Sequence, residues 1–184
     1  LTERQITIEW CNFSSFSDDY LIDALDQMRH QLQFNYPQLP VPKFSALPNN
    51  LVDQLPEYFI AMIPGNANED SFQQHQAKYI FVLCDEHEAF VQAYQEQNEL
   101  AHWGVAIPCS FAIAWEPNKY LLWHEALHLM NAKDCYNKFG INKCREPKCI
   151  MRRAPSRANC GDQLTLCSKN LKRIQRFATD SACR

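Results

Sequence analysis

Ile6-Thr7-Ile8-Glu9-Trp10 alternates in character, the period of a strand with one buried face. Ser17-Asp18-Asp19 then supplies a cap and acids for a first helical turn. Tyr20, Ala24, Leu25, Met28 and Leu32 follow at helical spacing, which predicts a helix stopping before Pro37. Val41 to Leu47 and Tyr58 to Ile63 predict two further strands. Tyr79 to Cys84 is a short continuous apolar run, as expected of a central strand. Asp85 with Glu88 resembles a capping box for a helix running to about Ala101. Val105 to Trp115 predicts one or two strands broken at Pro108. Pro117 to Asn131 reads as a helix whose back is covered by Leu122, Ala126, Leu129 and Met130. Leu121, His124 and His128 share its opposite face, and two histidines in so apolar a helix require partners. This order describes an α/β sandwich with an irregular C-terminal part.

The chain has 184 residues and 46% apolar content, enough for one compact domain or one domain with a small appendage. No apolar stretch approaches the ~18 residues of a membrane span. The chain starts at Leu1 without a basic-then-apolar leader, so we expect a processed or trimmed product. The net charge of −3 conceals an asymmetry: residues 1–134 carry −12 and residues 135–184 carry +9. That imbalance favours docking of the tail on the body over an anionic partner. Six of the nine cysteines, Cys135, Cys144, Cys149, Cys160, Cys167 and Cys183, also lie in the tail. Such clustering suggests local staples, either disulfides or a structural metal. Cys11, Cys84 and Cys109 sit in apolar runs and read as small buried residues.

His124-Glu125-Ala126-Leu127-His128 is H-E-x-x-H. Residues four apart stack on one side of a helix, so both imidazoles can reach one Zn²⁺, with Glu125 beside them to hold a water. The alternative is a helix with two unrelated, hydrogen-bonded histidines. Asp134 and Cys135 follow, and then Cys149-Ile150-Met151.

This run resembles the metzincin zinc peptidases, in which H-E-x-x-H is extended by x-x-G-x-x and a third ligand, and a Met lies in a tight turn beneath the metal. Asn131 stands at the Gly position, where a left-handed residue ends the helix, and Asn is the next-best residue for that. Asp134 stands at the third-ligand position, usually His, as in the snapalysin-like minority of the clan. Closer still is the archaemetzincin pattern, with Cys135 on its first Cys position and Cys144 and Cys149-Ile150-Met151 on its C-x-x-x-x-C-x-M. An insertion separates Cys135 from Cys144. The terminal C-x-x-C appears as Cys167-Ser168-Lys169-Asn170, without its second Cys, which Cys160 could replace. The resemblance is specific from Tyr120 to Met151, weaker to about Phe177, and generic over residues 1–115.

The resemblance implies a zincin-type fold of the α+β or α/β class. A twisted mixed sheet packs on helices, one of them the active-site helix, and an irregular Cys-rich C-terminal subdomain ends in a helix. The chain is then a single metallopeptidase domain over 1–184, with an upper subdomain at 1–131 and a basic lower subdomain at 132–184. His124, His128 and Asp134 become ligands of a catalytic Zn²⁺, Glu125 the general acid/base, and Met151 the Met-turn residue. Cys135, Cys144, Cys149, Cys160 and Cys167 become candidates for a second, structural zinc or for disulfides. The Tyr that many metzincins carry two residues after this Met is absent, and Arg152 or Arg153 is the substitute oxyanion donor to examine. A strand within Ser110 to Trp115 would align a peptide substrate.

The expected function is zinc-dependent hydrolysis of peptide bonds in a peptide or protein substrate. Two alternatives stand beside it: a metzincin-fold zinc-binding protein that does not cleave, and a zinc-stabilised nucleic-acid-binding module prompted by the basic tail. Nucleic acid is disfavoured because no aromatic or Gly-rich binding motif is present. The trimmed start and the missing C-x-x-C tip the expectation towards disulfides and a secreted location.

Overall fold

The molecule is organised around a sheet that combines a parallel core with one reversed edge. A computed structural model describes residues 6–53, 55, 79–85, 88, 91–92, 95–96, 103–137 and 139–179. The strand expected over Tyr58 to Ile63 and most of the helix expected after Asp85 lie outside the described residues.

Among the described residues, five strands are ordered β2-β1-β3-β5-β4. They are β1 (Thr7–Asn12), β2 (Lys43–Ala46), β3 (Tyr79–Leu83), β4 (Gly104–Ile107) and β5 (Phe111–Ala114). The pairs β1–β2, β1–β3 and β3–β5 are parallel, whereas β4 runs antiparallel to β5. A tight connection explains the reversal: Pro108, Cys109 and Ser110 form a turn, Cys109 adopts φ 64°, and the Ser110 N–H donates to the Ile107 carbonyl. Val105 to Trp115 is therefore a hairpin broken at Pro108, as its sequence predicts. Cys109 is half-buried and disulfide-bonded, which corrects its reading as a small buried residue.

Alternation along the strands divides the core. Ile80, Val82, Phe111, Ile113 and Trp115 pack on one face with Leu47 and Leu55. Phe81, Leu83, Ala112 and Ala114 face the other side, towards helices α1 (Asp18–Asn35) and α3 (Lys119–Leu129). A one-turn helix, α2, spans Asn49–Val52. The two alanines of β5 leave room for α3 to lie against the sheet, and residues Tyr120 to Leu129 are all buried. Asn118 caps α3 through its side chain, and the Trp123 indole donates to the Ala24 carbonyl at 2.7 Å, tying α3 to α1. Helix α1 begins at the Ser17 cap and buries Leu21, Ala24, Leu25, Met28 and Leu32.

After α3 the chain runs mainly through turns, with a short helix α4 (Arg157–Cys160) and a terminal helix α5 (Ser168–Thr179). The basic C-terminal segment lies against α1. The Leu164 N–H donates to the Gln31 side chain and the Leu166 N–H to the Tyr36 hydroxyl, so the expected docking is carried at these points by uncharged groups. Ile150, Met151, Leu164, Leu166, Ile174 and Phe177 join the core of the upper sheet and helices. No helix among the described residues is long and apolar enough to cross a membrane.

Candidate metal centre

Helix α3 carries His124, Glu125 and His128 within about one turn, and all three are buried. The helix ends where Asn131 takes φ 66°, the left-handed conformation expected there. Its N–H returns to the His128 carbonyl and that of Ala132 to Leu127. This reversal brings Asp134 back over the histidines. Asp134 Oδ1 lies 3.1 Å from His124 Nε2 and 3.4 Å from His128 Nε2, and the two Nε2 atoms are 3.3 Å apart.

The far side of each ring fixes what the near side can do. His124 Nδ1 lies 2.9 Å from the Ile150 carbonyl, and His128 Nδ1 lies 2.9 Å from the Ala132 carbonyl. A carbonyl only accepts, so each Nδ1 is the donor, and in the neutral ring each Nε2 presents a lone pair. Two lone pairs and a carboxylate then converge within 4.8 Å. Such a donor set is repulsive until a cation enters, and two imidazoles with one carboxylate suit zinc. Without metal a proton takes that place. Burial acts to lower His124, but its hydrogen bond to Asp134, the charges of Glu125 and Asp134 and the hydrogen bond to Ile150 together outweigh this and raise its pKa to about 9. Partial desolvation acts to raise Asp134, yet the hydrogen bonds to both histidines hold it below the usual carboxylate range.

Glu125 is arranged differently. Burial raises its pKa, against the opposing pull of the two histidines. Its Oε2 is buried without a hydrogen-bond partner among the described residues. Space for the carboxyl group comes from Gly104 on β4, where a Cβ would stand 2.6 Å from Glu125 Oε1. Gly104, Val105, Ala106 and Pro108 form one wall of a cleft of about 430 Å³, with His124, Glu125, His128, Lys133, Asp134 and Tyr136 on the other. The strand beside the cleft is thus the edge strand β4. The expectation for Ser110 to Trp115 is corrected, because β5 is paired on both sides and fully buried.

Met151 is fully buried in a turn where the Arg152 N–H returns to the Cys149 carbonyl. The same turn supplies the Ile150 carbonyl that holds His124. Neither Arg152 nor Arg153 lines the cleft: Arg152 donates to the Pro147 carbonyl, and Arg153 packs over Gly140. Tyr136 occupies the wall instead, stacked on His124 with centroids 6.5 Å apart. Burial, then the charges of Asp134 and Glu125 and a hydrogen bond to Asp134, raise its phenol above the usual range. Sequence reasoning misses Tyr136 and Gly104. Only the spacing of Tyr136 from Asp134, two residues, is a usable signal.

A second cluster lies beyond Asp134. The sulfurs of Cys135, Cys144, Cys149 and Cys167 all lie within 4.8 Å of one another. Cys135 Sγ is 3.8 Å from Cys149 Sγ and 3.5 Å from Cys167 Sγ, far beyond a disulfide bond of about 2.05 Å. All four are free, so the expected lean towards disulfides is not what these cysteines adopt. Cys160 is also free and stands outside the cluster. Cys135 completes the set that Cys160 was expected to complete, because the inserted loop returns Cys144 to its side. Asn170 marks the place of the missing Cys: it is buried, and its Nδ2 lies 3.4 Å from Cys135 Sγ. The hydrogen bond from Cys135 lowers the pKa of Cys149 to about 6, against burial, while Cys135 itself is raised. A thiolate already favoured at one corner of four sulfurs fits a structural zinc.

No family model matches the sequence, and no curated protein matches it. Among solved structures the chain is similar to an archaemetzincin from Methanopyrus kandleri, at 15% identity and a TM-score of 0.49, over 98% of this chain and 100% of that one.

Proposed function

We propose that the protein is a zinc-dependent peptidase of archaemetzincin-like type. Its catalytic zinc would be held by His124, His128 and Asp134, and a second, structural zinc by Cys135, Cys144, Cys149 and Cys167. The observation that carries this reading is Glu125. A buried carboxyl group with an unpartnered oxygen costs about 1–3 kcal/mol or more, and no described residue offsets that cost. A group kept at such a cost, beside three converging ligands and at the wall of a cleft, suits proton transfer.

Zinc in such a site polarises a carbonyl and makes water acidic enough to be deprotonated near neutral pH. The residues of the chain supply the rest. Edge strand β4 has one side unpaired by any described strand, to which an extended peptide can add along the cleft. Glu125 takes the proton of the attacking water and delivers it to the leaving amine. Its raised pKa suits both halves of that cycle. Tyr136 stands where a phenolic hydroxyl can leave Asp134 and donate to the developing oxyanion, in place of the Tyr missing after Met151. The Ile150 and Ala132 carbonyls keep both imidazoles oriented throughout.

Glu125→Gln is the test. It keeps the shape of the side chain and removes no ligand. Zinc content by elemental analysis and thermal stability should hold, while turnover of any peptide the wild type cuts should fall at least ~10²-fold. An unimpaired variant would remove Glu125 from the chemistry. A wild type that cuts nothing in a diverse library would favour the non-cleaving alternative.

A further inference from the structure

Among the described residues, Lys133 is the one Lys or Arg lining the cleft, and it is exposed there next to Asp134. It forms no ion pair with any described residue, not even with its neighbour. The Asp134 carboxylate is already engaged by His124 and His128. Most solvent-facing lysines are loosely placed, but the backbone of this one is gripped on both sides. The Lys133 N–H donates to Asn170 Oδ1 at 2.9 Å, and Asn170 Nδ2 donates to the Lys133 carbonyl at 2.9 Å. Asn170 is 2% exposed and rooted in helix α5. The ammonium thus projects from a fixed point on the wall facing β4 and the turn after it, whose lining residues Val105, Ala106 and Pro108 carry no charge.

The charges of the cleft give this placement a consequence. A divalent ion would be balanced by Asp134 and Glu125, leaving a neutral floor. Lys133 then decides the sign seen by an arriving peptide. We infer that Lys133 is a specificity-determining residue that selects peptides carrying a carboxylate close to the bond to be cut. This rests on the peptidase reading above. The carboxylate can belong to an acidic side chain or to a free C-terminus. Both present the same acceptor to an ammonium group, and a charge-assisted bond in a partly shielded cleft corresponds to about tenfold in selectivity.

The experiment compares matched peptides bearing Glu, Gln or Lys at one position flanking the cut, each as the free acid and as the C-terminal amide. Relative kcat/KM is measured for the wild type, Lys133→Met and Lys133→Glu. Binding of the same peptides to Glu125→Gln, alone and combined with Lys133→Glu, is followed by fluorescence anisotropy. The wild type should prefer a carboxylate about tenfold, less so as salt is raised. Lys133→Met should abolish the preference, and Lys133→Glu should turn it towards Lys. An advantage of the free acid over the amide that is the same for Glu and Gln would assign the C-terminal carboxylate as the group bound; an advantage of Glu over Gln that persists in the amides would assign the side chain. Indifference of the wild type to the carboxylate in both cleavage and binding, or a preference that survives Lys133→Glu, would overturn the inference while leaving the peptidase reading intact. Acidic peptides bound through Lys133 but never cut would do the reverse.

Discussion

The two donor clusters lie next to each other in the chain, yet they are built on opposite plans. The first draws two imidazoles from one buried turn of α3 and a carboxylate from an exposed residue, and it opens on a cleft. The second draws four sulfurs from turns and from the residue just before α5, and three of its four residues are buried. Three protein ligands on a zinc would leave a tetrahedral position for substrate or water, whereas four thiolates would fill it. The supporting framework follows the same division. The open site rests on regular secondary structure, where a rigid helix fixes the spacing of the histidines. The closed site lies in a segment with little regular structure of its own, where the ligands themselves must supply the order. An unpartnered carboxyl group is tolerated only at the first.

The sulfur cluster should break most conspicuously. Cys149 accepts from the Cys167 N–H and shares its hydrogen bond with Cys135, so Cys149→Ala removes the centre of the set. A structural zinc held there would contribute on the order of 10 kcal/mol to folding, and its loss should unfold the C-terminal segment. Hydrogen exchange of α5 and thermal unfolding report this directly. A variant with native protection in α5 would make the sulfur cluster ornamental and end the contrast.

Asp134→Ala acts on the other side. It should weaken zinc at the histidine centre by more than about 100-fold, because two neutral imidazoles remain without a balancing charge. The sulfur centre should stay loaded. Cobalt substitution separates the two, since only the sulfur centre gives a thiolate charge-transfer band. Loss of that band together with the histidine metal would show that the sites are not distinct.

Gly104→Ala should have the smallest effect and the most local one. A Cβ 2.6 Å from the Glu125 carboxyl must displace it, and overpacking of this kind costs about 1–3 kcal/mol. Turnover should fall roughly ten- to a hundredfold with both metals retained. Unchanged turnover would mean that the position of Glu125 is not limiting.

Local features are legible in the residues themselves. The spacing of His124 and His128, the left-handed turn at Asn131, the burial of Met151 and the helix at Asp18–Asn35 all follow from periods and residue types within a few positions. What escapes such a reading depends on strand order and on chain return. Gly104 matters only because β4 folds back along β5 to the sheet edge, next to a helix that comes later in the chain. The edge position belongs to β4 rather than β5 for the same reason. Cys135 takes the fourth sulfur place from Cys160 because the insertion closes on itself. The Asn137 side chain accepts from the Phe139 and Ile141 N–H groups, the Lys143 N–H donates to the Cys135 carbonyl, and Tyr136 pairs with Asn142. No count of residues between cysteines reveals that closure. Tyr136 is hidden in the same loop.

Asp134 and Cys135 are consecutive, so a single peptide unit serves both donor sets. The Cys135 N–H is moreover held by the Met151 carbonyl, and the neighbouring Ile150 carbonyl holds His124. Filling either set therefore restricts the same few backbone torsions that the other set needs fixed. A second ion would meet a chain whose conformational entropy had already been reduced, and would bind more tightly for it. Linkage makes this enhancement reciprocal, identical whichever ion comes first. Two ions held at these sets would then be coupled positively, and a titration of the wild type should show the half-filled species suppressed, though not to the point of emptying the sulfur set when Asp134 is lost.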